Sequence, residues 1–404
     1  MTNSTQNFNQ IRNQIIKSNI CLWLPAIIIV TNESFFESLA KSVQGSVYFT
    51  IVILFLYGYI ICWNAAYKYA KHKGYPGYWG LIAGIFNIYG LSFLFLLDNK
   101  KISQDTSLEE NPFINISISS IIISIYAIDI FFLLFIAIAI ALAGKISILE
   151  AFQYFENNDI AGILSIFIEI IFVWYLLKVI KQAKVSIRKI FGSFKKINLI
   201  LPIILAIAQY LFASGFNHIT LYGLSFIVPQ YVEHMINYEY FSTYIGFIAL
   251  AISAVIFAPI MEEFIFRGIM IHTIALKKDI LKAICISAIL FAVVHFRYDI
   301  IPLLIMGVIT VILYLKYNQL VLPIIYHFFY NLIVIIRLFH YRFLSNVDHS
   351  NLITIDNYRQ HFIDNLELRI LLIALSAPYL LYFIYKNFPR NYDIHKLPYF
   401  TNKS

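Results

Sequence analysis

The chain has 404 residues, of which 60% are hydrophobic and 13% are charged, whereas a soluble domain has about 45–50% apolar and about 25% charged residues. A soluble fold cannot bury such an excess, so a soluble globular protein is excluded. The formal net charge of +8 comes from short basic clusters between apolar runs, which is typical of cytoplasmic loops beside anionic lipid and argues against a nucleic-acid-binding face.

Apolar runs follow one another along the chain, and several contain 18 or more residues without a charge. Such a run matches the roughly 30 Å hydrocarbon core of a bilayer at about 1.5 Å rise per residue. The pattern predicts an all-α, polytopic transmembrane helical bundle. The predicted spans, about ten in number, lie near residues 20–32, 46–63, 120–143, 160–179, 199–216, 243–276, 280–296, 299–315, 320–338 and 368–386.

The segment 79–97 leaves two interpretations open. It is apolar, but it contains three glycines and has lysines on both sides. Flanking positive charge favours a re-entrant hairpin that returns to its own side of the membrane, and a full span is the alternative. The three cysteines Cys21, Cys62 and Cys285 each lie in an apolar segment, which predicts buried thiols rather than disulfides or a metal cluster.

The charges of the loops predict the orientation. Segments 180–198, 277–279 and 316–318 and the C-terminal tail are basic and are expected in the cytoplasm, whereas the acidic segments 145–159 and 217–242 are expected outside. Segment 180–198 also has the pattern of an amphipathic helix at the inner leaflet. The predicted divisions are an N-terminal membrane module with its linker (1–112), transmembrane helices with the basic amphipathic segment (113–198), a candidate catalytic core (199–390) and a tail (391–404).

Ionisable side chains within spans are costly in hydrocarbon and therefore mark candidate sites. They concentrate in three segments of the candidate core. The residues of interest are Glu262, Glu263 and Arg267 in the first segment, Phe291 and His295 in the second, and His327 and Asn331 in the third. Asp129 and Glu169 interrupt spans elsewhere, and no role follows from their positions. His272 is expected at the membrane interface.

Helical spacing relates these residues to one another. Glu263 and Arg267 are one turn apart and can neutralise each other, which leaves Glu262 free about 100° around the helix. Two antiparallel helices that close at the turn 277–279 bring Glu262 and His295 to similar depth. His327 lies at a roughly compatible depth only if a tilt, or a kink at Pro259 or Pro323, closes the difference.

These residue types suit the attack of water on a carbonyl carbon. A carboxylate in a cavity of low dielectric constant is a stronger base, a neutral imidazole can hold the water, and a second imidazole with an amide can donate hydrogen bonds to an oxyanion. No serine or cysteine nucleophile motif accompanies them. The sequence therefore points to water-mediated hydrolysis rather than to an acyl-enzyme.

The three segments resemble the CPBP family, which comprises CAAX proteases and bacteriocin-processing enzymes and is also called the Abi family. Its pattern is Glu-Glu-x-x-x-Arg, then Phe-x-x-x-His, then His-x-x-x-Asn, and every position is matched in order. The resemblance covers about residues 199–338. Each motif alone is weak, but the ordered triple within apolar helices is specific.

The resemblance implies an intramembrane endopeptidase. Glu262 would be the general base, His295 would help to activate water, His327 and Asn331 would stabilise the oxyanion, and Glu263 with Arg267 would hold the site together. A metal-free glutamate mechanism is favoured. The alternative implied by the family is a metal-dependent enzyme in which Glu262, His295 and His327 bind Zn²⁺.

The expected substrate is a small membrane-associated or membrane-embedded protein or peptide, and the expected location is the cell membrane with a cytoplasmic C-terminus. Bacterial relatives are linked to bacteriocin self-immunity and peptide maturation, and the Ile-, Asn- and Tyr-rich composition indicates an AT-rich bacterial genome. That origin argues against prenylated substrates. A non-catalytic membrane scaffold or regulator is the alternative function, and a transporter is a weaker one because broken-helix repeats are not apparent.

Overall fold

The computed structural model describes most of the chain, and every element within the described part is helical. Because a backbone group in hydrocarbon has no water to bond, helices are the expected way for such a chain to satisfy its own N–H and C=O groups. The described residues are 13, 14, 16, 17, 20, 41–80, 112–145, 147, 150, 160–192, 198–238, 241, 243–295, 297–344, 353–390 and 392–401.

The chain divides into two compact units. The first takes residues Met1–Glu110 with two short later pieces, and its described helix is α1 (Lys41–His72). The second takes most of the remainder. Its helices are α2 (Ile118–Gly144), α3 (Ile160–Gln182), α4 (Ile187–Phe191), α5 (Ile200–Ser225), α6 (Pro229–Ile236), α7 (Tyr244–Lys277), α8 (Ile280–Val293), α9 (Ile300–Tyr317), α10 (Val321–Leu344), α11 (Ile355–Asp364), α12 (Leu366–Asn387) and α13 (Pro398–Thr401).

Five helices of the described part are long and apolar enough to cross a membrane, namely α5, α7, α9, α10 and α12. Two shorter apolar helices, Ile130–Gly144 within α2 and α8, accompany them. The helical membrane bundle predicted from the sequence is confirmed. The count of about ten spans stays a prediction, since the proposed segments 20–32, except for Ile20, and 81–97 lie outside the described residues.

The prediction of an external loop over 217–242 is wrong for most of that segment. Helix α5 continues to Ser225, and α6 follows it. The polar end of α5 stays helical because it packs against α6 and α11. Leu221, Val232 and Tyr358 form an apolar cluster there, and Arg359 donates hydrogen bonds to both the side chain and the backbone carbonyl of Ser225.

The basic segment 180–198 also differs from its prediction. Its described helix, α4, has only five residues, and the side chain of Ile190 is fully buried in protein rather than lying on lipid. The backbone of this segment is tied to the core, because the carbonyl of Ile190 accepts a hydrogen bond from the hydroxyl of Tyr314 at 3.2 Å. Arg188 remains exposed, so only one side of the segment is embedded.

His272, expected at the membrane interface, is completely buried. Its ring stacks on Phe113 with 4.7 Å between centroids, and its Nε2 accepts a hydrogen bond from the backbone N–H of Tyr399 at 3.3 Å. The start of the second unit and the C-terminal helix α13 therefore both pack on α7 at this point. Of the cysteines in the described residues, Cys62 is buried as expected, whereas Cys285 is exposed on the surface of α8.

Helices α8 and α9 lie in close contact, and a glycine permits it. A Cβ added to Gly307 would come within 3.0 Å of the Cα of Ala288 and 3.2 Å of its carbonyl oxygen. Real Cβ contacts are almost never this short with backbone atoms, so a side chain at this position forces the two helices apart. The separation matters for the site, since α8 carries Phe291 and the carbonyl of Gly307 bonds to the site, as described below.

We expect Gly307→Val to lower the free energy of unfolding by about 1–3 kcal/mol through overpacking. Gly223→Val is the matched control, because a Cβ at Gly223 meets nothing within 4 Å. Thermal unfolding of the two purified variants in the same detergent measures the difference. Equal melting temperatures for the two variants would contradict the close α8–α9 contact.

Candidate active site

Glu262 of α7 and His295, just past the end of α8, face each other. The His295 Nε2 and Glu262 Oε2 atoms are 3.6 Å apart, and the two side chains are 22% and 26% exposed respectively. This separation is too long for a direct hydrogen bond. It confirms that the α7–α8 hairpin brings the two side chains to the same depth, and it leaves both reachable from outside the protein.

The other ring nitrogen of His295 fixes the tautomer of the imidazole. Its Nδ1 lies 2.6 Å from the backbone carbonyl of Phe291, one turn earlier. A carbonyl oxygen only accepts hydrogen bonds, so Nδ1 carries the hydrogen, and the Nε2 of a neutral ring presents a lone pair toward Glu262. The pair Glu262 and His295 therefore offers two hydrogen-bond acceptors to one small molecule placed between them.

Glu263 points to the opposite side of α7, into a fully buried polar cluster. Its Oε1 accepts hydrogen bonds from Arg267 Nη1 at 3.1 Å and from His327 Nδ1 at 3.0 Å. Arg267 also donates from Nη2 to the carbonyl of Gly307 at 3.0 Å. The predicted Glu263–Arg267 pair is present, and the structure adds His327 of α10 as a third member.

Phe291 is the apolar centre between these two groups. The Arg267 guanidinium lies over its ring, with 4.5 Å from Cζ to the ring centroid. The rings of His295 and His327 lie 5.0 Å and 5.8 Å from the same centroid. A guanidinium over a desolvated aromatic face is stabilised by about 2 kcal/mol, so one phenylalanine helps to place the cation and both imidazoles.

Asn331, one turn after His327, makes a contact that its sequence position does not reveal. Its Nδ2 donates a hydrogen bond to the backbone carbonyl of Ala254 at 2.7 Å. Helix α7 is a π-helix over Ser253–Phe257, where the N–H of Ala258 bonds to the carbonyl of Ser253 five residues back. In that register the carbonyl of Ala254 should receive the N–H of residue 259, which is a proline and has none. Asn331 supplies the missing donor.

Glu169 of α3, for which the sequence suggested no role, reaches the same π-turn. It accepts a short hydrogen bond from the hydroxyl of Ser253. Two polar side chains from outside α7, Glu169 and Asn331, thus hold consecutive residues of its irregular turn. A second π-helical stretch, Phe264–Met270, follows Glu263 directly. π-turns are rare within α-helices and are frequent at functional sites.

The predicted site residues therefore form two neighbouring groups rather than one. Glu262 and His295 make the accessible pair, and Glu263, Arg267 and His327 make the buried cluster. Asn331 bonds to the backbone of α7. Sequence reasoning missed Gly307, Ala254 and Glu169; of these, only Glu169 carried a signal, as a charge within a span.

A zinc ion does not fit the residues as they are arranged. Structural and catalytic zinc sites gather three or four His, Cys, Asp or Glu donors around one point. Among the residues that the structure describes, no group of three such side chains is placed to hold a metal ion. His327 turns its Nδ1 to Glu263, so Glu262, His295 and His327 are not gathered as the metal alternative requires, and no step below runs through a metal.

Comparison with known families places these motifs in a described context. Residues 244–333 match the family model "Type II CAAX prenyl endopeptidase Rce1-like". The match runs from the start of α7 to just past Asn331, includes every motif residue and spans under a quarter of the chain. It confirms the resemblance to the CPBP and CAAX protease family and, at family level, supports an intramembrane endopeptidase. No curated protein and no solved structure matches the chain.

The two adjacent glutamates are expected to respond differently to the same substitution. Glu263→Gln leaves Arg267 as a buried, uncompensated cation and should cost about 3–5 kcal/mol of stability. Glu262→Gln, at a partly exposed side chain without a direct hydrogen bond, should cost far less. Thermal unfolding in detergent compares them. A Glu262→Gln protein as unstable as Glu263→Gln would contradict the assignment of the charge balance to Glu263.

The role of Pro259 can be tested by a double-mutant cycle. Asn331→Ala leaves the Ala254 carbonyl without a partner and should cost about 1–3 kcal/mol. Pro259→Ala restores an N–H in register with that carbonyl, so Asn331→Ala should cost less in this background. Unfolding free energies of the four proteins give the coupling, which should lie within about 0.5–3 kcal/mol. Strict additivity would contradict the account.

Proposed function

We propose that this chain, whose residues 244–333 match type II CAAX prenyl endopeptidases, is a metal-free intramembrane endopeptidase in which Glu262 and His295 activate water. The observation that carries the proposal is the accessible pair itself. Two acceptors face each other across 3.6 Å, and the hydrogen bond from His295 Nδ1 to Phe291 leaves Nε2 unprotonated. Such a pair binds water by both its hydrogens and leaves an oxygen lone pair free to attack.

In the first step, water between Glu262 and His295 gives one proton to the Glu262 carboxylate. The hydroxide formed adds to the carbonyl carbon of the scissile peptide bond, and the carbonyl oxygen becomes an oxyanion. General-base catalysis of this kind contributes about 10²–10⁴-fold to the rate. The partial burial of both side chains strengthens it, because charge interactions are stronger where water is scarce.

The oxyanion needs hydrogen-bond donors, and the structure limits which groups can serve. His327 Nδ1 is directed at the Glu263 carboxylate, so its Nε2 carries a hydrogen only when the ring is the imidazolium ion. Glu263 stabilises that charged ring. The Asn331 amide has two N–H donors, of which one serves Ala254, and its second is the other candidate donor.

In the last step the protonated Glu262 returns its proton to the amide nitrogen as the C–N bond breaks. The products are a carboxylate and an amine, and the site regains its starting charge. Each proton taken from water is thereby accounted for without a covalent enzyme intermediate. This agrees with the absence of serine or cysteine among the residues that form the accessible pair and the buried cluster.

The proposed substrate is a small membrane-associated protein or peptide, as in bacteriocin self-immunity or peptide maturation. The proposed location is the cell membrane, with the basic turn 277–279 and the C-terminus in the cytoplasm. Helix α8 has 14 residues from this turn to the site, about 21 Å along its axis. The accessible pair would then lie in the half of the bilayer away from the cytoplasm.

The test compares wild type with Glu262→Gln in the native host, scoring membrane-associated peptides by mass spectrometry. We expect specific cleavage products to fall by about 10²-fold or more, because the swap keeps the size of the side chain and removes the base. Glu233→Gln is the matched control, since Glu233 is exposed on α6. Immunoblotting of membranes must show equal accumulation of the three proteins.

A non-catalytic scaffold makes the opposite prediction. If deletion of the whole protein alters the phenotype while Glu262→Gln leaves both the phenotype and the peptide profile unchanged, the catalytic assignment fails. The scaffold would then be the function of the fold.

A further inference from the structure

Away from the candidate active site, two arginines lie at one end of the bundle where three helices meet. Helix α5 packs along both α10 and α12. Arg337 is in the last third of α10, and Arg369 is in the first turn of α12. His218, near the end of α5, is close enough to both guanidinium groups to be repelled by them.

Arg369 is an unusual residue to find buried. Its side chain is only 9% exposed, and its Nε atom has no hydrogen-bond partner. The burial follows from close helix packing at Gly215, where an added Cβ would lie 2.7 Å from the carbonyl oxygen of Arg369. A glycine in α5 thus draws α12 inward and carries the arginine with it.

Arg337 does not neutralise this site but adds to its charge. It is exposed, and its Nη1 donates to the hydroxyls of Ser214 at 3.3 Å and Tyr210 at 3.5 Å, both uncharged groups. It is near enough to repel Arg369 electrostatically. Within the described ranges, no carboxylate pairs with either arginine.

The contrast with Arg267 shows what is missing. That buried arginine has the carboxylate of Glu263 at 3.1 Å, whereas Arg369 has a like charge for a neighbour. A buried charge costs several kcal/mol unless it is paired, and a second cation nearby increases the cost. An anion with several oxygens, held between the two guanidinium groups, would remove both penalties, and phosphate oxygens match the guanidinium fork in two parallel hydrogen bonds.

We propose that Arg337 and Arg369, with His218 beside them, form a binding site for a phosphate group between α5, α10 and α12. The phosphate belongs either to the headgroup of an anionic lipid or to a free phosphate ion. The site is separate from the catalytic one. Arg337 lies ten residues after His327 on α10, about 15 Å along the helix axis, and its hydrogen bonds go to α5 rather than to α7.

The test uses the full-length protein in a neutral detergent. Its melting temperature is measured with inorganic phosphate against chloride at matched ionic strength, and with phosphatidylglycerol against phosphatidylcholine. Native mass spectrometry counts the lipids retained. A ligand that binds only the folded state raises the melting temperature, so we expect stabilisation by phosphate, by phosphatidylglycerol, or by both.

The variants are Arg337→Gln, Arg369→Gln and the control Arg390→Gln, which removes the same charge beyond the other end of α12. Loss of one guanidinium should weaken the response about tenfold or more, because hydrogen bonds between charged groups are strong. Arg390→Gln should respond like wild type. Arg337→Gln, at an exposed side chain, keeps the test valid if Arg369→Gln does not fold.

Stabilisation by inorganic phosphate identifies an ion site, and stabilisation by phosphatidylglycerol alone identifies a lipid site. The proposal is overturned if neither probe stabilises the wild-type protein. It is also overturned if Arg390→Gln weakens the response as much as the other two variants do, since binding would then follow net charge rather than this site.

Discussion

A carboxylate buried among apolar helices has no water to stabilise it, and the arrangement of the candidate site depends on how Glu263 meets that constraint. It accepts hydrogen bonds from Arg267 of its own helix and from His327 of α10. Arg267 in turn donates to the backbone of α9 at Gly307. One negative charge therefore ties three helices together, and the ring of Phe291 from α8 closes the cluster. This rigid, charge-balanced base leaves the neighbouring Glu262 free for chemistry.

The irregular course of α7 has a comparable explanation in a single residue. Pro259 lacks the N–H that the π-turn before it requires, and Asn331 replaces that donor. The same turn is held from the other side by Glu169. A polar side chain in hydrocarbon is costly unless it is paired, so these contacts explain why both residues are tolerated within apolar spans. Support for the site thus comes from beyond the segment that matches the protease family.

The sequence predicted the helical bundle and the three motif segments well, because long uncharged runs and charges within them have few other interpretations. It also predicted that Glu262 and His295 meet, since the turn between their helices sets their depths. It did not predict the helical end of α5, the burial of His272, or the bond from Asn331 to Ala254. Those features depend on packing between segments far apart in the chain, where local hydropathy carries no information. The roles of the site residues stay predictions.

The two π-turns of α7 have a consequence for how this helix can change over evolutionary time. A π-turn accommodates one more residue than the α-helical turn it replaces, so it is the structural trace of an inserted residue. Removing one residue from Ser253–Phe257 would restore regular α-helix and rotate everything that follows by about 100° relative to what precedes it. Glu262 would then turn away from His295, although every motif letter would still be present. Descendants of this chain should therefore tolerate substitutions in that turn far better than single-residue deletions.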